Sequence, residues 1–286
     1  MRKILSIFIF TFSFLLLKSQ LPNTDVWLFK IEKTKTELKL SAPKNLTNRT
    51  GYDNQPSFSN DGKKIYYVSI REDKQADFYY YDLKSEKIIQ LTKTKESEYS
   101  PGQTPDGKYL NAVVVENDSA QRIHFINSLT GVSEKKHEVD SVGYYTFLNS
   151  DTVLYYKLTS PHSLRYYVNS TNEDKWLGNN PIRAFKTLNR HSFIYGIKDS
   201  VKVTFYKYDF TLHKAEKYTE FASSSEDAIW HEQFGLLKSE GNKILRFDET
   251  KKEWLLLFDL AQFGIKKITR FGFDKKNKYL VLVDNL

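Results

Sequence analysis

The sequence predicts an all-β chain built as a six-bladed β-propeller of four-stranded antiparallel blades. Three observations carry this reading. Aromatics make up 15% of the 286 residues, with 20 Phe and 19 Tyr, residue types that cover pleated, half-buried surfaces. A four-strand unit recurs, with Asp61–Gly62 and Asp106–Gly107 lying 45 residues apart. Each end of the chain offers only half a unit, and the two halves are complementary.

The first complete unit opens at Gln55-Pro56-Ser57-Phe58-Ser59-Asn60-Asp61-Gly62-Lys63-Lys64. It continues through Ile65 to Ser69, Phe78 to Asp82 and Ile88 to Thr92, short β-rich runs bounded by turn residues. Asp61-Gly62 reads as a type I′ hairpin turn. The second unit runs from Pro105-Asp106-Gly107-Lys108 through Tyr109 to Val115, Arg122 to Asn127 and Glu134 to Val139. Three more units follow, opening at Phe147, Phe185 and Ile229.

The N-terminal half-unit comprises Val26 to Ile31 and Glu37 to Leu40, matching the third and fourth strands of a unit. The C-terminal half-unit comprises Ile265 to Phe273 and Tyr279 to Val283, matching the first and second. In the latter, Phe273 to Leu280 aligns with Phe58 to Ile65, and Asn277 takes the place of Gly62 because Asn tolerates the left-handed conformation. Units of roughly 40–45 residues with four strands are propeller blades. A blade shared between both termini would close the ring and remove its open edges.

Residues 1–19 read as a secretory signal peptide, with Arg2 and Lys3 before an apolar run from Ile4 to Leu17. That leaves residues 20–286 as the propeller, with no stable membrane span after cleavage near Ser19 or Gln20. The formal charge of +8 includes Arg2, Lys3 and Lys18, so the mature part carries +5. Its Lys and Glu residues are interspersed, which argues against a nucleic-acid stripe. There is no cysteine, which excludes disulfides, thiolate metal sites and a cysteine nucleophile.

The string Gln55 to Ile65, with Asp77-Phe78-Tyr79-Tyr80-Tyr81-Asp82-Leu83 and Gln90-Leu91-Thr92 downstream, resembles the WD-like repeat of the TolB propeller family. The resemblance spans Asn54 to Thr92 and extends to Ser100 to Asn127, and spacing carries it beyond. It implies a periplasmic or secreted protein that interacts with other envelope proteins. TolB carries an additional α/β domain before its propeller, and the expectation here is a propeller without it.

Catalytic signatures are sparse. The sequence contains no G-x-S-x-G elbow, no H-x-H or H-E-x-x-H pair and no glycine-rich phosphate loop. His124 and His231 read as surface or partner-bonded histidines. No cofactor is expected. The functional reading is a non-catalytic binding or scaffolding protein, a monomer whose partner is a protein or another envelope component. The alternative is an enzyme, lyase or glycosidase-like, with its site gathered in the channel from several blades.

The candidate binding residues are Arg71, Tyr99, Tyr144, Arg183 and Trp230. The last four fall at the starts of innermost strands, and Arg71 follows a second strand on the same face. Tyr, Trp and Arg dominate interface hot spots. The bland reading is that the aromatics fill blade-to-blade packing and that Arg71 pairs with Asp73 or Asp77.

Overall fold

The computed structural model describes residues 21–286 except 35–36, 105 and 223–226. The signal peptide expected at residues 1–19 lies outside the described residues. Among the described residues no helix is long and apolar enough to cross a membrane.

The repeat seen in the sequence is the repeat of the fold. The first unit is β3 (Tyr52–Phe58), β4 (Lys64–Ile70), β5 (Ala76–Asp82) and β6 (Lys87–Gln90). The second is β7 (Ser97–Gln103), β8 (Tyr109–Val115), β9 (Gln121–Asn127) and β10 (Ser133–Lys136). The third is β11 (Val142–Phe147), β12 (Thr152–Lys157), β13 (Ser163–Val168) and β14 (Glu173–Asn179). The fourth is β15 (Pro181–Asn189), β16 (Ser192–Lys198), β17 (Lys202–Asp209) and β18 (Lys214–Ala222). The fifth is β19 (Ala228–His231), β20 (Gly235–Glu240), β21 (Lys243–Asp248) and β22 (Glu253–Asp259).

The two ends meet as expected. β1 (Thr24–Lys33) pairs antiparallel with β24 (Tyr279–Asn285), in register from Thr24 opposite Asn285 to Lys30 opposite Tyr279. β23 (Ile268–Phe273) flanks β24, and β2 (Leu38–Asn45) flanks β1. A single parallel bridge between Thr24 and Tyr52 joins this composite unit to the first one.

Apolar clusters lie between successive units, because each strand alternates its faces and both faces of a sheet meet a neighbour. Ile65, Tyr67 and Tyr79 of the first unit pack against Val26, Leu28 and Val281 of the composite one. Phe29, Leu280 and Leu282 of the composite unit pack against Leu237 and Ile244 of the fifth. The first strands also touch one another: β23 meets β3, β3 meets β7, β11 meets β15, β15 meets β19 and β19 meets β23, while β11 packs on β8 and β9.

Three local expectations are corrected. β2 runs on to Asn45 instead of stopping at Leu40, passing through Pro43. Proline survives there because β2 is the outer edge strand, paired only with β1. The last first-strand begins at Ile268, not Ile265. A short 3-10 turn at Ala261–Phe263, closed by left-handed Gly264, comes first, and the Lys266 and Lys267 N–H groups donate to the Asp284 carboxylate at 2.9 and 2.8 Å. The Asp-Gly turns are not type I′ either. Only Gly62 and Gly107 have positive φ, at 68° and 72°. The Gly62 N–H donates to the Ser59 carbonyl at 2.9 Å, and the Ser59 N–H to the Lys64 carbonyl at 2.9 Å, so the loop is longer than two residues. Asn277, at φ 55°, repeats both bonds from Asp274, which bears out its alignment with Gly62.

Candidate binding channel

The first strand of each unit faces a shared cavity of about 1000 Å³, lined by residues of β3, β7, β11, β15, β19 and β23. These strands are not regular. Pairing with the second strand slips beside Asn54, Tyr99, Tyr144, Arg183 and Arg270. A bulge bends its strand and re-aims a side chain. Gln55 and Ser100 sit in these bulges at φ 57° each. There the Ser100 N–H donates to Gln55 Oε1, and the Tyr145 hydroxyl donates to the Ser100 carbonyl at 3.0 Å. Gln55, Ser100 and Tyr145 thus form a bonded chain around the wall at one level, one residue from each of three units.

At the end of the channel where β11, β15 and β23 begin, three side chains converge. Arg270 Nη2 donates to the Tyr144 hydroxyl at 3.2 Å, with its guanidinium 5.4 Å from the Tyr144 ring centroid. Arg183 is ion-paired with Asp227 and donates from Nη2 to the Thr269 carbonyl at 2.9 Å. Burial pushes the Tyr144 phenol up, yet the positive charges of Arg270 and Arg183, with hydrogen bonds from both, hold it below its ordinary range. Tyr52 stands beside this group, and there burial prevails and raises the phenol.

Charge in the channel is uneven. Among the described residues its lining carries five cationic side chains (Lys135, Arg183, Lys186, Arg270 and Lys275) against two carboxylates, Asp106 and Asp227. Lys186 is exposed on the channel wall, with protein crowded around it. Desolvation by that crowding lowers its pKa, Glu232 opposes the shift and Lys275 adds to it. Among the described residues no group of three or more His, Asp or Glu is arranged to hold a metal ion. His124 contacts Glu116 at 2.8 Å and Ser133 at 2.9 Å, and His231 contacts Asn277 at 2.8 Å.

Of the five candidates, the structure brings Tyr144 and Arg183 together in the channel. Tyr99 is half-buried and packs against two apolar clusters, one shared by the first and second units and one by the second and third. Arg71 lies away from the cavity wall. Its Nε donates to Ser69 Oγ at 3.1 Å and its guanidinium stacks 4.1 Å above Tyr79, so its partners are not Asp73 or Asp77. Trp230 is misplaced by the sequence reading. It packs between the fourth and fifth units, edge-on to Tyr218 at 5.8 Å with Lys207 over its ring at 5.1 Å.

β19 pairs with β20 without a slip, so Trp230 lacks the irregularity found beside Tyr144 and Arg183, the two candidates that line the channel, although Tyr99 has one and still packs between units. Asp227, just before β19, reaches the channel instead. Arg270, Asp227 and Lys186 were missed. Arg270 is the third residue of its strand, as Tyr144 and Arg183 are of theirs, but the expected start at Ile265 hid that register.

No protein-family model and no curated protein sequence matches the chain. Solved structures do. A TolB-type protein from Agrobacterium tumefaciens superposes with a TM-score of 0.63 at 10% identity, over 93% of this chain and 99% of that one. TolB from Acinetobacter baumannii gives 0.58 at 16% identity, over 92% of this chain but 63% of that one. A gluconolactonase from Xanthomonas campestris gives 0.61 at 9% identity, over 92% and 96%. The chain is therefore a β-propeller. Within that class its fold is TolB-like, and at such identities the likeness speaks for fold alone.

Proposed function

We propose that this protein is an exported, non-catalytic propeller of the bacterial cell envelope that binds a protein partner at the end of its channel where β11, β15 and β23 begin. In this reading six blades close into a ring, with β1 and β2 completing the blade begun by β23 and β24. The apolar clusters between successive units and the contact of β23 with β3 support that closure.

One observation carries the binding assignment. The two arginines at this end of the channel are held in place, Arg270 on the Tyr144 hydroxyl and Arg183 on Asp227 and the Thr269 carbonyl. Such a preorganised group of Arg and Tyr on a concave surface suits recognition. The test is a crosslinking pull-down from envelope extracts with the native protein and a Tyr144→Phe, Arg183→Gln double variant. The reading expects a specific partner captured by the native protein and lost from the variant. No partner, or capture unchanged in the variant, would overturn it.

A second reading, a lyase or glycosidase-like enzyme working in the channel, draws on Lys186 and Tyr144, whose ionisations are both shifted downward. Shifted groups in a cavity are candidates for proton transfer. Turnover of a sugar substrate that is lost in Lys186→Met would favour it.

A further inference from the structure

We propose that the end of the channel where β11, β15 and β23 begin is a site for a small oxyanion, a carboxylate or a phosphate, gripped by the Arg270 guanidinium with Arg183 beside it. This rests on the channel and not on the protein partner of the previous reading, so either can fail alone.

The argument starts from Arg270. It donates to the phenol of Tyr144, and among the described residues it has no carboxylate within ion-pair distance. A guanidinium drawn from water into a concave wall loses hydration that a phenol only partly restores. Arg183, by contrast, is matched by Asp227. This end of the channel is thus left with one cation in excess, and the whole channel lining with three.

The Tyr144 phenol lies in the same field: both guanidiniums face it and hold it below its ordinary range, although burial acts the other way. The same field stabilises any anion placed there. Geometry supplies the rest. A guanidinium presents a planar fork that fits two oxygens of a carboxylate or phosphate. The cavity, at about 1000 Å³, has room for an organic molecule around that group.

The experiment is isothermal titration calorimetry on the native protein and on Arg270→Gln, with inorganic phosphate in one arm and citrate in the other, at matched ionic strength with chloride. The expected result is saturable binding of at least one anion, weakened roughly tenfold or more in Arg270→Gln, since a charge-assisted bond contributes on that scale. The arm that binds tells phosphate from carboxylate chemistry. Arg270→Lys keeps the charge and loses the fork, so it should bind with an intermediate constant, and it serves where the Gln variant does not fold. Absence of saturable binding in both arms, or equal binding by all three proteins, would overturn the proposal.

Discussion

Arg270 donates to the Tyr144 phenol across 126 residues of sequence, tying the first strand of the third unit to the first strand of the composite unit. No local rule of strand pairing produces such a bond. It exists because first strands from separate units line one cavity. It also makes Tyr144 a sensor of the charge around it.

Removing that charge has a definite sign. Arg270 and Arg183 favour the phenolate, so Arg270→Gln should move the Tyr144 titration upward towards ordinary phenol behaviour. The difference in tyrosinate absorbance between each protein and its Tyr144→Phe counterpart, followed against pH, isolates this one residue. A Tyr144 titration unmoved by Arg270→Gln would contradict the electrostatic account of this end of the channel.

A second titration concerns stability. Glu98, 2% exposed, accepts bonds from Thr92 Oγ1 at 3.0 Å and Thr94 Oγ1 at 2.5 Å and lies beside buried Asp77. Burial, aided by the Asp77 charge, pushes Glu98 from 4.5 up to about 8. The folded state therefore keeps a proton that the unfolded chain releases. The stability that Glu98 contributes is fully present below 4.5 and is lost as pH rises through about 8. Thermal unfolding between those limits should show a falling Tm, and Glu98→Gln should flatten the slope and raise Tm at pH 8. An unchanged slope would remove Glu98 from the account.

Two glycines separate backbone strain from crowding. Gly62, at φ +68°, has open space where a Cβ would stand, so Gly62→Ala should cost about 1 kcal/mol from the left-handed backbone alone. Gly131, at φ +71°, would place a Cβ 2.1 Å from the Leu91 carbonyl oxygen, which the neighbouring unit holds in place. Overpacking adds about 1–3 kcal/mol. Urea unfolding should rank Gly131→Ala well below Gly62→Ala in stability, and equal costs would refute the packing there.

Phe29 tests the composite unit. It is fully buried in β1 and packs into the cluster shared with the fifth unit. Phe29→Ala should therefore cost ~3–5 kcal/mol in denaturant unfolding, the scale of a core aromatic. Leu212→Ala, at a side chain 69% exposed, should change stability by less than about 0.5 kcal/mol. Near-equal small losses would mean that the N-terminal strand is peripheral.

Much of this was legible because its causes are local. Strand alternation and turn residues placed the units, and the Asn277 loop repeats the Gly62 loop bond for bond. Errors arose where tertiary context decides. Pro43 is tolerated only because β2 lies at an edge, and Ile265 leaves the strand because Asp284 captures the two backbone N–H groups after it. At the site, offset along the first strand places Tyr144 and Arg183 on the channel but not Tyr99 or Trp230, which pack between units, because which face each first strand turns inward depends on tertiary packing. Asp227 lies in a connecting segment, where period-two reasoning has no purchase.

In the closed ring proposed above, β1 and β24 must pair within one chain to complete the blade that both ends share. Lys30 and Tyr279 face each other across β1 and β24, and the chain has no cysteine of its own. Directly opposed strand residues lie within disulfide reach. Lys30→Cys, Tyr279→Cys should oxidise to a single bond within one chain, read by mass and by non-reducing electrophoresis, with Tm raised over the reduced form because the loop it closes is long. Thiols that stay reduced under mild oxidant, or that link separate chains, would contradict the clasp.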